Sequence, residues 1–357
     1  MEQKEIVGKR VQLRNKEDNI LHVTFRPCKP EDAELLIQCI QGEYGDTYFK
    51  RSFYEPEYLR QRMEDGSILF MVAETDERQI AGMLILKSFY PTESMCEIAS
   101  QIFIKKYRGY HMAYPFFCYA MDILKKKSYS AAYCLPVVFH DITQRLLYRL
   151  GLRATGFILN VFDLSVIHHS YQNGRNVKHS QAVQIMPMGK RTIGKLYVPV
   201  EHQEMVEEIY RNLGILCEFA DSDVQSESDA QFQSNVPAPK VLKKAIIWTN
   251  DEVQSNCEIM VKTVSDSLEC EIKSIERRYL ENDRQTFNVF LNMNDPQAVQ
   301  GYHMLRKMGY FFTGIKPLCS ENEYMILHNA KKIPIFGEDY ILTEEFRRLW
   351  NYIQSHR

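Results

Sequence analysis

At 357 residues the chain exceeds what one ordinary core organises, and its length points to about two domains. A net charge of −2 argues against general nucleic-acid binding, so any basic site must be local. Nine cysteines, scattered singly with no C-x-x-C pair, read as reduced thiols and exclude a disulfide framework or a zinc site. The charged segment Met1 to Arg14 lacks the apolar run of a signal peptide, and no later stretch is apolar for long enough to span a bilayer. A cytoplasmic protein is expected, without membrane or metal.

In chain order, residues 22–27 form a short strand, and Pro30-Glu31-Asp32 starts a helix with Leu35, Leu36, Cys39 and Ile40 on one face. A second helix follows Pro56, carrying Tyr58, Leu59 and Met63 inward. Between them lies an aromatic stretch, Glu43-Tyr44-Gly45-Asp46-Thr47-Tyr48-Phe49. Three strands come next, over residues 68–74, 80–87 and 97–104. The third runs into Lys105-Lys106-Tyr107-Arg108-Gly109-Tyr110-His111-Met112-Ala113 and straight into a helix marked by Phe116, Phe117, Ala120, Met121 and Leu124. A basic turn between a strand and a helix points backbone N–H groups at the positive end of the helix dipole, and Gly109 permits close approach of an anion. Residues 131–139 read as a strand, followed by a helix with Leu146, Leu147 and Leu150 inward that Gly151 closes; residues 157–164 supply a further strand.

An internal repeat points to a related second domain. Leu150-Gly151-Leu152-Arg153-Ala154-Thr155-Gly156-Phe157 reappears as Met308-Gly309-Tyr310-Phe311-Phe312-Thr313-Gly314-Ile315, each a helix exit, glycine, strand and Thr-Gly. Before the second copy stand a strand (287–291) and a helix begun by Asp295-Pro296. Upstream, Leu196-Tyr197-Val198 and a helix with Met205, Val206, Ile209 and Leu213 serve as its opening elements. Polar runs at 165–184 and 221–239 read as connectors, the second as a loop within the second domain. A last amphipathic helix, 343–353, presents Phe346, Leu349 and Trp350 for docking. The expected division is 1–165, a linker 166–184, a second domain 185–335 and a C-terminal helix 336–357. The fold class is α/β, each domain a mixed central sheet flanked by helices.

The order strand, helix, helix, three strands, basic loop, helix resembles the GNAT N-acyltransferases, and Arg108 and Ala113 fit their acyl-CoA loop, Arg/Gln-x-x-Gly-x-Gly/Ala. His111 stands where the middle glycine is usual. The resemblance implies that Arg108, Gly109, Tyr110, His111, Met112 and Ala113 hold the diphosphate of acetyl-CoA or another acyl-CoA, with a backbone N–H near Phe103 on the thioester carbonyl. It places Tyr148, in Leu147-Tyr148-Arg149-Leu150-Gly151-Leu152, as the acid for the departing thiolate, one residue off the family spacing. Glu97 and His140 are alternative bases: Glu97 through desolvation at the start of its strand, His140 at a strand end. The resemblance also implies that Tyr44, Asp46 and Tyr48 face the acceptor, an amine of a small molecule or peptide. The second domain, without such a loop, reads as a copy that lost its cofactor. The implied activity is acyl transfer to a primary amine by the N-terminal half. The rival is a non-catalytic acyl-CoA sensor or interaction module, and a third option, an aminoacyl-tRNA donor, is weakened by the near-neutral charge.

Overall fold

The computed structural model describes residues 6–48, 50–88, 94–127, 129–163, 178–189, 192–220, 245–319, 322–329 and 333–357. Phe49, most of the 165–184 connector and the connector at 221–239 lie outside them. The first half runs β1 (Lys9–Arg14), β2 (Ile20–Pro27), α1 (Ala33–Tyr44), α2 (Pro56–Glu64), β3 (Ile68–Thr75), β4 (Ile80–Lys87), β5 (Met95–Phe103), α3 (Ala113–Lys125), β6 (Ala131–Cys134), α4 (Ile142–Arg149), β7 (Arg153–Asp163) and β8 (Lys178–Pro187). The second runs α5 (Val200–Asn212), β9 (Ile246–Asp251), β10 (Asn256–Val261), α6 (Leu268–Arg277), β11 (Thr286–Asn292), α7 (Ala298–Lys307), β12 (Tyr310–Cys319), β13 (Asn322–Asn329) and α8 (Glu344–Ser355).

All strands join one mixed sheet in the order β1-β2-β3-β4-β5-β6-β8-β7-β12-β13-β11-β10-β9. Two departures from the sequence reading are local. The strand expected over 131–139 stops at Cys134, since Pro136 has no N–H to continue a ladder. Residues 178–187, assigned partly to the linker and partly to the second domain, are β8, hydrogen-bonded between β6 and β7. The polar residues that disguised β8 face a polar interior: Lys178, Ser180 and Gln184 are all buried.

One pattern of strands occurs twice. β4–β5 is antiparallel, β5–β6 parallel, β6–β8 and β8–β7 antiparallel. β9–β10, β10–β11, β11–β13 and β13–β12 repeat those directions in the same order, with α6 and α7 where α3 and α4 stand. The two series meet at β7 and β12, where Gly156 pairs with Gly314. A Cβ built on Gly314 falls 2.2 Å from the Gly156 Cα, so no side chain fits in this seam. The repeated Thr-Gly therefore has a packing cause. Gly151 and Gly309, at φ 99° and 95°, follow α4 and α7 in the left-handed region.

β3 and β4 are buried on both faces and accordingly read as unbroken apolar runs. One face of the first half packs on α1 and α2 through Leu36, Ile40, Leu59 and Phe70. The other packs on α3, where Phe25 and Phe116 stack at 4.8 Å. Each such buried phenylalanine stabilises the fold by about 1.5–3 kcal/mol. A third core runs through the second half, and α8 joins it by laying Phe346 and Trp350 on Phe157 of β7. Buried Gln144 fixes the approach to α8: its amide donates to the carbonyls of Val137, His140 and Ile341, and its own oxygen accepts the Thr343 N–H. The eight cysteines whose side chains are described are free thiols.

Candidate active site

β5 and β6 pair in parallel only from Met95–Ala131 to Glu97–Tyr133 and then separate. Two residues of β5, Ser100 and Gln101, oppose one on β4, and Ser100 takes a left-handed φ of 50°. This bulge turns β5 away from β6 and leaves a wedge between them. The Ile104 N–H donates to Ala81 of β4, so by strand alternation the N–H of Phe103 points to the wedge side. Gln101 reaches across the wedge toward β6, its amide 3.1 Å from the Cys134 sulfur.

The loop from β5 to α3 is pinned at both ends and open in its middle. Tyr107 and Met112 are buried in the α3 core, whereas Arg108, Gly109 and His111 are exposed. Gly109 and His111 have φ of 92° and 55°, and nothing lies within 4 Å of a Cβ placed on Gly109. Among the described residues, the N–H groups of Gly109, Tyr110, His111, Met112, Ala113 and Tyr114 donate to no acceptor. Orphan N–H groups at a helix start point at the positive end of the helix dipole, a geometry suited to an anion. His111 adopts the left-handed turn that glycine would take, so its imidazole points outward without displacing those amides. Arg108 is not aimed at the opening: Nε donates to the Phe103 carbonyl at 3.0 Å, and the guanidinium pairs with Glu43 of α1.

Beyond the wedge lies a charged, aromatic cluster that includes some of the expected residues. Tyr44 and Tyr48 pack with ring centroids 4.9 Å apart, and the Tyr48 hydroxyl donates to Ser100 Oγ at 2.9 Å. Asp46 stays exposed and accepts from Gln41, away from the rings. Glu97 pairs with Lys87 at 2.9 Å and accepts from Tyr133 at 3.3 Å. Burial pushes Glu97 up, but Lys87, Lys50 and Lys316 hold its carboxyl below the usual range. The sequence reading had desolvation raising it; the cations reverse the sign, which weakens Glu97 as a base. Lys316 comes from β12 in the second half, its ammonium 4.8 Å from the Tyr133 ring centre and 5.4 Å from that of Phe290.

Tyr148 and His140 lie elsewhere. Tyr148 is half-exposed under the Arg153 guanidinium, 4.4 Å from its ring centre, and lines a cleft of about 680 Å³ with α5 and α8. No hydrogen bond or ring contact among the described residues joins it to Glu97, Ser100 or Phe103. His140 sits edge-on to Phe139 ahead of α4, and burial lowers its pKa.

Sequence reasoning missed Lys50, Ser100, Lys316 and Glu258. One signal was available: Cys96-Glu97-Ile98 recurs as Cys257-Glu258-Ile259, in the same register of β5 and β10.

No protein-family model and no curated protein matches the chain. Solved structures similar to it include a variant of the spermidine/spermine N-acetyltransferase SpeG from Vibrio cholerae, at 15% identity and TM-score 0.38, covering 46% of this chain and 95% of that one. Another is the ribosomal-protein-S5-alanine acetyltransferase from Vibrio fischeri, at 12% identity and TM-score 0.39, covering 50% and 98%. A third, described as a putative phosphinothricin N-acetyltransferase, has 15% identity and TM-score 0.37, covering 47% and 99%. Among the described residues no group of side chains has the make-up of a metal site, and no helix is long and apolar enough to cross a membrane.

Proposed function

We propose that this protein is an acetyl- or acyl-CoA-dependent N-acyltransferase whose working half is N-terminal, acting on a primary amine of a small molecule or peptide. The observation that carries this reading is the run of unpartnered amides from Gly109 to Tyr114 beside the wedge between β5 and β6. A diphosphate is the anion whose length and charge suit such a run. The residues present fit this donor: the amides of residues 109–113 hold the diphosphate, the thioester arm follows the wedge, and the Phe103 N–H meets the acyl carbonyl. Tyr44 and Tyr48 wall the acceptor side. Most of the rate enhancement then comes from positioning two reactants in one groove. In the same proposal the second half is a copy of the first that lost its donor loop, and Lys316 is its contribution to the acceptor groove.

Calorimetry with CoA and with acetyl-CoA, followed by thiol release in the presence of an amine library, tests this reading. Binding of both with thiol release that depends on an amine is the expected result. Binding and ligand-dependent stabilisation without thiol release would leave a sensor, and absence of binding would remove the donor altogether.

A further inference from the structure

We propose that Tyr48, Ser100 and Lys50 form a proton relay at the β5 bulge, through which Lys50 receives the proton that the acceptor amine sheds. It rests on the acyltransfer reading above. Ser100 Oγ is the shared atom: it lies 2.9 Å from the Tyr48 hydroxyl and 3.1 Å from Lys50 Nζ. It stands beyond Glu97, the last β5 residue paired to β6, and so borders the wedge where the thioester is placed. Its left-handed φ of 50° is unfavourable for serine by roughly 1–2 kcal/mol, a strain the surrounding packing holds in place. Lys50, in the connection between α1 and α2, reaches it with its ammonium 5.2 Å from the Phe53 ring centre.

The chemistry balances without a further reactant. As the acceptor nitrogen forms its bond to the acyl carbon, it gives a proton to Ser100 Oγ, and Ser100 passes its own proton to the neutral Lys50 amine. The C–S bond breaks with its electron pair on sulfur, and the thiolate takes up a proton from Lys50 or water. Tyr48 donates to Ser100 throughout and holds the hydroxyl in line. Lys50 is suited to this part because burial, with the Lys87 charge next, lowers it to about 7, against the opposing pull of Glu97. Farther out, Lys316 of β12 acts on Glu97, and Glu258 of β10 interacts with Glu97, Lys87 and Lys316. A carboxylate already neutralised by Lys87 leaves the base position to the lysine.

The test uses the full chain in two measurements. In protein carrying lysine labelled with carbon-13 at Cε, the resonance lost in Lys50→Arg is followed by NMR across the neutral range. A midpoint near 7 is expected; a midpoint above about 9, close to that of an ordinary lysine, overturns the relay. In thiol-release kinetics, wild-type kcat/KM rises with pH through a limb near 7. Lys50→Arg and Ser100→Ala each lower kcat/KM about 100-fold. Lys50→Arg also abolishes the limb, while the calorimetric Kd for CoA stays within twofold. Turnover with the limb intact in Lys50→Arg removes the relay alone. A wild-type protein that neither binds CoA nor releases thiol removes the acyltransfer reading and the relay together.

Discussion

The two halves are built to one strand pattern and finished in opposite ways. In the first, β5 leaves β6 after three paired residues, and residues 104–112 make a loop whose amides from Gly109 onward meet no acceptor among the described residues. In the second, β10 follows β11 through all six pairs, from Asn256–Thr286 to Val261–Leu291, and only residues 262–267 connect it to α6. The first amides there are used internally: Lys262 and Thr263 donate to the Ala245 carbonyl, and Val264 donates to Asp295 at 2.6 Å, leaving only the three residues before α6 without an acceptor among the described residues. A site of this kind is thus made by leaving hydrogen bonds unmade. Completing the ladder and bonding the start of the loop leaves the second half the more fixed of the two at this point.

If the halves are joined through one tight seam, the largest effect belongs to Gly314. Gly314→Val forces a side chain into the Gly156 backbone, at a φ of 127° that non-glycine residues rarely adopt. Overpacking at about 1–3 kcal/mol and strain at about 1–2 kcal/mol predict a loss of about 3 kcal/mol, read by denaturant unfolding. Wild-type stability in this variant would show that the two series of strands do not depend on that contact.

The seam also shows what a sequence reveals. Gly-x-x-x-Thr-Gly was visible twice because close backbone approach admits only glycine, a constraint written in single residues. The element order of the first half was readable from its unbroken apolar strands and periodic helices, and the loop from its basic turn. β8 was not, because its buried residues include Lys178, Ser180 and Gln184, which find partners in other elements: the Lys178 ammonium donates to the carbonyls of Gln254 and Ser255 at 2.6 and 2.8 Å, and the Gln184 amide donates to the Gln144 carbonyl of α4. The partners of Glu97 were hidden for the same reason. Its field depends on Lys87, directly opposite it on β4, on Lys50 from the loop between α1 and α2, and on Lys316 from β12 in the second half, so burial suggested one direction and the lysines set the other.

The fixed character of the second half has a pH signature. His202 is fully buried, stacked on Phe312 at 4.4 Å, and held between the hydroxyls of Tyr352 and Tyr302 at 2.7 Å each. Tyr352 donates its proton to the Glu201 carbonyl, so Nδ1–H donates to Tyr352 and Nε2 accepts from Tyr302. That neutral ring has a pKa lowered to about 3 by burial, with His356 and Arg306 adding to the effect. The unfolded chain binds a proton below about 6.5 that the folded chain refuses, so this stability is present above that value and fades as pH falls. About 2 kcal/mol is lost by pH 5 on this account. Unfolding of wild type and His202→Gln between pH 7 and 5 should show a flatter slope in the variant; equal slopes would assign the acid sensitivity elsewhere.

The open and bonded loops can be set against each other directly. Gly109→Val strains a residue at φ 92° and crowds the run of amides, so CoA affinity measured by calorimetry should fall at least about tenfold, or roughly 1.4 kcal/mol. Asp295→Ala frees the Val264 N–H and should cost about 1–3 kcal/mol of stability without altering CoA affinity. A drop in affinity for Asp295→Ala would place donor contacts in the second half and undo the contrast.

The smallest effect concerns His111, which occupies the left-handed position where the resembled loop has glycine. His111→Gly removes a backbone strain of about 1–2 kcal/mol and adds about 0.5–1 kcal/mol of unfolded-chain entropy, so the net change in stability lies between about 0 and 1.5 kcal/mol, in the stabilising direction. The imidazole is exposed and takes part in no hydrogen bond among the described residues, so its loss leaves the amides as they are. CoA affinity should then stay within about threefold, or 0.6 kcal/mol. A tenfold weakening would mean that the imidazole itself grips a phosphate, making His111 a binding group of this chain in place of the missing glycine.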